Sequence, residues 1–315
     1  MSNEKLKGHG LIFIANILFA INLPISKYLL PSHVSPEALT LLRMLFGCVM
    51  FWVVSLFVKK EKVSLKDLGL LFICAMCGIA INQSVFLAGL NKTSPVDASI
   101  IATAGPIYVM LLAALILKEP ITKKKTFGVM LGVIGGVTLI LSSTQAESQQ
   151  AGDLKGDLMI VFSNFMYSIY AVVSRPLSQR YSAVTIMKWM FLFSSIVLLP
   201  IMYQGILDMP AWQRNGIDWE EALAISYVLF FATFIPYLLI PMSLKRLRPT
   251  TVSMYNYVQP IVASFIAVMV GQDTFTIGKF LSTALVFVGV YLVTQSKSRE
   301  DVLREQESKG NDDTA

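Results

Sequence analysis

Ten apolar runs follow one another through the chain, each about 20 residues long, the length at which an α-helix crosses a hydrocarbon core of about 30 Å. Hydrophobic residues make up 55% of the chain and charged residues only 15%, which is far more apolar surface than a soluble domain needs. The loops between the runs are too short for a soluble catalytic domain. The sequence therefore predicts an all-α membrane protein with ten transmembrane helices, embedded in the lipid bilayer. The helices are expected near residues 9–30, 37–58, 67–89, 95–117, 124–143, 156–175, 183–205, 219–243, 250–270 and 277–295.

The two ends of the chain differ in character. The first run is longer than the apolar region of a signal peptide and has no small-residue cleavage site behind it, so we expect it to be retained. Residues 298–315 are rich in charged side chains and are predicted to form a disordered tail in the cytoplasm.

The distribution of lysine and arginine predicts the orientation. If the N-terminus is cytoplasmic, the cytoplasmic segments hold 19 of the 26 basic residues, the opposite side holds 5, and Arg43 and Lys188 lie within runs. Cytoplasmic loops are the ones that retain Lys and Arg, so both termini are expected in the cytoplasm. The net charge of +6 then reflects membrane topology, and no nucleic-acid partner is expected.

The chain also matches itself. An offset of 154 pairs Pro95 with Pro249 and Pro106 with Pro260, and an offset of 148 pairs the LKG at 6–8 with a second LKG at 154–156. We therefore predict two five-helix repeats, residues 1–145 and 146–297. Because five is odd, the second repeat must enter the membrane inverted, an architecture that many secondary transporters use with the solute site between the repeats.

Two stretches resemble a known family. The segment GPIYVMLLAALILKEPIT at 105–122, followed by GVMLGVIGGVTLI at 128–140, resembles the EamA family of the drug/metabolite transporter superfamily. The resemblance extends over about residues 8–296, although QDTFT stands in the second half where KEPIT stands in the first. It implies a ten-helix carrier of the bacterial inner membrane that moves amino acids or other small metabolites.

The two prolines interrupt the fourth and ninth runs. A proline inside a helix lacks an N–H donor, and its ring crowds the carbonyl four residues earlier, at a cost of about 3 kcal/mol. The freed carbonyls need a partner within the protein or in a wet cavity. Pro106 and Pro260 therefore mark either a solute cavity or two packing kinks that neighbouring hydroxyls satisfy.

Polar side chains in the runs gather near these breaks. Ser99 and Thr103 share a helix face before Pro106, and Tyr255 and Gln259 share one before Pro260. Single polar residues of this kind also serve as hydrogen-bonding contacts between helices, worth about 0.6 kcal/mol each. We predict that together they bind substrate in one cavity. The predicted substrate-binding residues are Asn16, Asn82, Ser99, Thr103, Tyr167, Tyr170, Tyr255, Asn256 and Gln259.

Charged residues within the runs have less specific interpretations. Arg43 and Lys188 each lie about two turns from the end of their run, so we expect both to reach back to the lipid headgroups. Asp97 is expected in the first turn of its helix, where a carboxylate meets the positive end of the helix dipole. Glu119, which is similar to the EamA family's glutamate at a helix end, is either a gate or a loop charge.

Cys74 and Cys77 form a CxxC pair inside the third run. A membrane thiol oxidoreductase is therefore an alternative function, but an activated thiolate needs a cationic or helix N-terminal setting and this stretch is apolar. His9 and His33 lack partners for a metal site, and the chain has no Walker sequence. No cofactor, metal or enzymatic activity is expected. A non-transporting membrane interaction protein is the remaining alternative.

These observations together predict a secondary transporter. We expect it to export a small neutral or zwitterionic metabolite, such as an amino acid, by alternating access. The aromatic and amide side chains of the predicted site favour an amphipathic solute. Whether a coupling ion such as a proton takes part is left open.

Overall fold

A computed structural model describes residues 3–30, 32–93, 95–143, 153–209, 216–269 and 277–297. Within these ranges the chain is helical, and each predicted run coincides with one helix or with two helices in tandem. The predicted tail at 298–315 lies outside the described residues. The helices are α1 (Asn3–Leu29), α2 (Pro36–Ser55), α3 (Leu65–Lys92), α4 (Pro95–Ala102), α5 (Gly105–Leu117), α6 (Lys123–Ser143), α7 (Leu154–Arg180), α8 (Ala183–Leu207), α9 (Trp219–Leu244), α10 (Pro249–Met254), α11 (Val258–Met269) and α12 (Ile277–Thr294).

Seven helical segments in the described part of the chain are long and apolar enough to cross a membrane. They are α1, α2, α3, α7, α8, α9 and the segment Ile100–Leu117, which contains α5. The outer faces of several helices carry large exposed apolar side chains, such as Leu115 and Ile201. Apolar surface of this extent is expected where a protein contacts lipid. The structure thus has the character of a multi-pass membrane protein, and the count of ten spans stays a prediction.

Serine residues begin several of the helices. The hydroxyl oxygens of Ser35, Ser64 and Ser182 accept hydrogen bonds from backbone N–H groups in the first turns of α2, α3 and α8. Each cap satisfies a backbone donor that has no partner within the helix. These three helices therefore begin at defined positions directly after their loops.

Four interruptions disturb the helices in the described part of the chain. Met76–Ala80 in α3 and Phe230–Phe234 in α9 are single π-helical turns. The break between α4 and α5 precedes Pro106, and the 3-10 turn Tyr255–Tyr257 between α10 and α11 precedes Pro260. The π turns start 154 residues apart (230 minus 76), which is the offset of the two prolines. Both kinds of interruption therefore recur at equivalent positions of the sequence repeat.

Helix pairing is extensive between the two halves of the chain. Helix α6 packs on α12, α2 on α8, α3 on α7 and α1 on α9, and α7 and α1 also contact α5 and α11 respectively. Glycines allow the closest of these approaches. A Cβ atom on Gly289 of α12 would lie 2.5 Å from the carbonyl oxygen of Gly128 on α6, so only glycine lets these two backbones meet as they do.

Candidate functional site

A cavity lies among the interrupted helices. Its volume is about 170 Å³, below the roughly 300–1,000 Å³ typical of pockets for drug-sized ligands, so it suits a smaller solute. Helices α1, α2, α3, α4, α7, α9 and α11 contribute to its wall, with the 3-10 turn before α11. The polar side chains of the wall are Asn22, Arg43, Asn82, Gln83, Thr103, Ser163, Asn164, Tyr167, Tyr237, Asn256, Tyr257 and Gln259.

Five of the nine side chains predicted to bind substrate lie in this wall, where both proline breaks also contribute. They are Asn82, Thr103, Tyr167, Asn256 and Gln259, and Pro260 lies beside them. The sequence repeat therefore led to residues that are far apart in the chain and share one cavity. Their role in substrate binding stays a prediction.

Asn16 lies behind the wall. Its side-chain oxygen accepts a hydrogen bond of 2.9 Å from the Gln259 amide, and its own amide donates to the Ile12 carbonyl. Asn16 is buried and does not line the cavity. It holds Gln259 in position, so its contribution to the site passes through that residue.

Tyr170 and Tyr255 do not line the cavity either. Tyr170 packs onto the π turn of α3, where a Cβ atom on Gly78 would lie 2.4 Å from its ring, because the face of α7 that carries it turns towards α3. The Tyr255 hydroxyl lies 2.7 Å from Nδ1 of His9, so this side chain joins α1 to the 3-10 turn. Pro106 is buried outside the wall.

The side chains of Ser99 and Asp97 lie outside the described part of the chain, although both residues belong to helix α4. Their predicted roles are neither supported nor contradicted by the geometry.

The two proline breaks contact each other directly. The Tyr257 hydroxyl, in the 3-10 turn before α11, donates a hydrogen bond of 2.9 Å to the Thr103 carbonyl at the break before α5. One backbone carbonyl at the first break is thus satisfied by a hydroxyl, as a packing kink requires. Ala102, Thr103 and Asn256 also line the cavity, and the role of the breaks in binding a solute stays a prediction. Sequence reasoning missed Tyr257, although it lies in the NYVQP segment.

An amide network joins α3 to α7. The Asn82 amide donates to both the carbonyl and the hydroxyl of Ser163, each at 2.9 Å, and the Ser163 hydroxyl donates back to the Asn82 carbonyl. Gln83 donates to the Asn82 side-chain oxygen at 3.0 Å. Asn82 therefore acts mainly as a contact between helices, and it also fixes Gln83.

Arg43 is the main difference from the sequence prediction. It is only 2% exposed and lines the cavity, so the expectation that it reaches the headgroups is wrong. Its Nε donates to the Thr233 hydroxyl at 2.8 Å, its Nη1 to Gln83 Oε1 at 2.6 Å and its Nη2 to the Ala232 carbonyl at 3.1 Å. The side chain is drawn inward because the π turn of α9 presents two of these acceptors.

Lys188, which an offset of 145 along the sequence pairs with Arg43, has different surroundings. Its ammonium group lies 5.2 Å from the ring centroid of Trp52 and 6.0 Å from that of Trp189. It is not part of the cavity wall. The two halves of the chain therefore place their equivalent cations in different environments.

A second polar centre involves Glu119, which is 5% exposed. Its carboxylate accepts hydrogen bonds of 2.8 Å from both Lys125 and Arg175, and Thr250 lies 3.5 Å away. This group, the Glu119 cluster, joins the end of α5 to α6, α7 and α10. Glu119 thus lies in the loop between α5 and α6 and pairs with one of the neighbouring lysines, and its role as a gate stays a prediction.

The cysteine pair lies in an apolar setting. Cys74 is fully buried within the largest hydrophobic cluster and Cys77 packs against it, and both thiols are free. Apolar neighbours such as Leu71 and Met190 belong to the same cluster. These surroundings match a packing role and give no support to an activated thiolate.

Comparisons with known proteins agree with this architecture. A WAT1-related protein of Arabidopsis thaliana is 24% identical over 95% of this chain and 88% of its own. An uncharacterized transporter of Archaeoglobus fulgidus is 24% identical over 84% of this chain and 90% of its own, and the uncharacterized transporter YetK of Bacillus subtilis is 23% identical over 78% and 73%.

A solved crystal structure has the same fold. It matches with a TM-score of 0.71 at 18% sequence identity, over 93% of this chain and 97% of that chain. The description "EamA-like transporter family" belongs to a family model that matches residues 6–142 and again residues 154–295. Together with the seven apolar helical segments, these two matches show that the chain belongs to the EamA-like transporter family, a family of membrane proteins.

Proposed function

We propose that this protein is a secondary transporter with ten transmembrane helices in two inverted five-helix repeats, residues 1–145 and 146–297. It exports a small neutral or zwitterionic metabolite, such as an amino acid, across a bacterial inner membrane, with both termini in the cytoplasm. The observation that carries the proposal is the polar cavity at which both proline breaks meet. Polar groups buried at membrane depth are costly and mark solute pathways.

Helix packing supports the repeat arrangement. If the two halves are exchanged, the contact of α3 with α7 becomes that of α9 with α1, and the contact of α5 with α7 becomes that of α11 with α1. The pairs α2 with α8 and α6 with α12 map onto themselves. The common offset of the π turns and of the prolines, and the two separate family matches, support the same division.

Alternating access requires contacts that close the cavity on one side and separate in the other state. On the side predicted to be cytoplasmic, the Glu119 cluster and the contact of His9 with Tyr255 hold the helices together. At the opposite end of the cavity wall, Leu23 and Phe86 pack against a buried cluster that includes Ala98. We infer that the cytoplasmic contacts separate when the cavity opens to that side.

Transport in proteoliposomes tests the proposal. The purified protein is reconstituted, radiolabelled amino acids and other small metabolites are supplied one at a time, and uptake is compared with that of empty liposomes. At least one solute should show saturable flux. A matched variant, Asn256→Ala, should raise the half-saturating concentration while leaving folded protein in the vesicles. Absence of flux for every solute, with folded protein present, would contradict a transport function.

A further inference from the structure

Arg43 has no anionic partner among the described residues. Its three hydrogen bonds go to a hydroxyl, an amide oxygen and a backbone carbonyl, all of which are neutral. A buried cation normally requires a charged partner or extensive hydrogen bonding, because removing it from water costs several kcal/mol. No described residue therefore neutralises the positive charge of the guanidinium next to the cavity.

The guanidinium also has unused donors. It carries five N–H groups, and three hydrogen bonds involve one N–H each, so two N–H groups lack a bond to any described residue. Asn164 adds a further donor, since its buried side-chain nitrogen has no hydrogen-bond partner among the described residues although the residue lines the cavity. Arg43 is the only charged residue in the described wall. The cavity wall therefore presents unused N–H donors that can form hydrogen bonds with an anion.

Both π turns help to fix this arrangement. Ala232 and Thr233, which accept from Arg43, belong to the π turn of α9, and Gln83 follows the π turn of α3 by three residues. Thr233 in turn donates to the Val228 carbonyl at 2.8 Å. Because Ala232 and Thr233 are buried and Gln83 is held by Asn82, Arg43 is oriented before any solute arrives, which lowers the cost of binding.

We propose that the transported solute carries a carboxylate and that Arg43 binds it. The inference rests on the proposed transport function and adds the substrate's anionic group and the residue that recognises it. Planar guanidinium groups pair with carboxylates through two parallel N–H donors, a geometry that a lysine ammonium does not provide. The amides and aromatic rings of the wall contact the remainder of the solute.

Matched compounds test the proposal on the wild-type protein. Proteoliposome uptake is measured for neutral amino acids, for their carboxamides, in which the carboxylate is replaced by an uncharged amide, and for the amines that lack it. The half-saturating concentrations of carboxylate-bearing compounds should be roughly 10- to 150-fold lower than those of the amides and amines. This ratio corresponds to the free energy of a hydrogen bond to a charged group. Equal flux of amides or amines would overturn the inference and leave the transport function standing. No flux of any compound would overturn both.

Two variants locate the recognition. Arg43→Gln should abolish the preference for carboxylates, and Arg43→Lys should retain part of it because the charge remains. Lys188→Gln, which removes the equivalent cation outside the cavity, should leave the preference unchanged. A variant at Arg43 that folds and keeps the wild-type preference would overturn the assignment. If Arg43→Gln does not fold, Arg43→Lys and the wild-type comparison decide the question.

Discussion

At the residue scale, a buried polar group depends on the few hydrogen-bond partners that lie within its reach. Arg43 and Thr233 illustrate this, since Thr233 accepts from Arg43 Nε and also donates to the Val228 carbonyl. One hydroxyl thus satisfies a charged donor and closes the π turn of α9. Its loss leaves a buried N–H without an acceptor, which costs more than the net value of an ordinary hydrogen bond.

Replacement of Thr233 tests this dependence. Thr233→Val keeps the shape of the side chain and removes the hydroxyl, so we expect a loss of about 1–3 kcal/mol in the free energy of unfolding. Thr233→Ser keeps the hydroxyl and serves as the matched control, with a much smaller loss. Thermal unfolding of the purified protein in detergent measures both. Equal stability of the two variants would show that the hydroxyl does not support Arg43.

Some residues of the cavity wall could be predicted from the sequence, and others could not. Thr103, Asn256 and Gln259 could be predicted because they lie close to the repeated prolines, and Tyr167 because it shares a polar helix face with Ser163 and Tyr170. Arg43 could not be placed, because its position along α2 allowed either a headgroup or an interior contact. Its direction depends on α3 and α9, whose contacting residues follow it by 40 and 189–190 positions. Periodicity within one run contains no information about such neighbours.

At the element scale, close helix contacts require glycine at specific positions. On α12, Gly289 faces the α6 backbone, where an added Cβ atom would lie 2.5 Å from the Gly128 carbonyl oxygen and 2.9 Å from the Gly132 nitrogen. Backbone atoms cannot move aside as a flexible side chain can, so an added methyl group must separate the helices. Gly10 in α1 and Gly69 in α3, by contrast, have open space around them.

Alanine substitutions distinguish these two settings. Gly289→Ala should destabilise the protein by about 1–3 kcal/mol, since the added methyl group overpacks the interface. Gly69→Ala is the matched control and should be neutral or stabilising by up to about 1 kcal/mol, because alanine favours helices over glycine. Thermal unfolding in the same detergent provides the comparison. A neutral Gly289→Ala would mean that α6 and α12 are not held this closely.

Helix positions were largely predictable and their interruptions only partly so. Apolar length and short polar loops are enough to locate the helical runs, and Pro106 and Pro260 mark two breaks directly. The π turns at Met76–Ala80 and Phe230–Phe234 have ordinary apolar sequences. Their presence depends on packing against other helices, for example of Gly78 against Tyr170, which a local pattern does not contain.

At the scale of the whole molecule, the topology prediction depends on the 19 to 5 distribution of basic residues. Reporter domains fused after Lys62 and Lys124 should be active in the cytoplasm, and those near Glu147 and Gln213 in the periplasm, because positively charged loops stay inside. Opposite locations at two of these four sites would contradict the inverted-repeat arrangement.

The Glu119 cluster links both halves of the chain on the side that we expect to face the cytoplasm. Lys125 and Arg175 share one buried carboxylate, so removing its charge leaves two like charges together with no anion between them. Opening that side to water relieves the repulsion. In an alternating-access transporter, a shift towards the cytoplasm-open state must reduce access from the opposite side.

Thiol labelling measures this shift. A cysteine replaces Asn256 in the cavity wall, in a chain whose Cys48, Cys74 and Cys77 are replaced by serine, and a membrane-impermeant thiol reagent is added outside. Adding Glu119→Gln should slow labelling about fivefold or more, the lower end of typical coupling between sites. Glu4→Gln, which breaks exposed ion pairs with Lys7 and Arg246 on the same side, is the matched control and should leave the rate unchanged. Labelling that is unchanged or faster in Glu119→Gln would show that the cluster does not hold the cytoplasmic side closed.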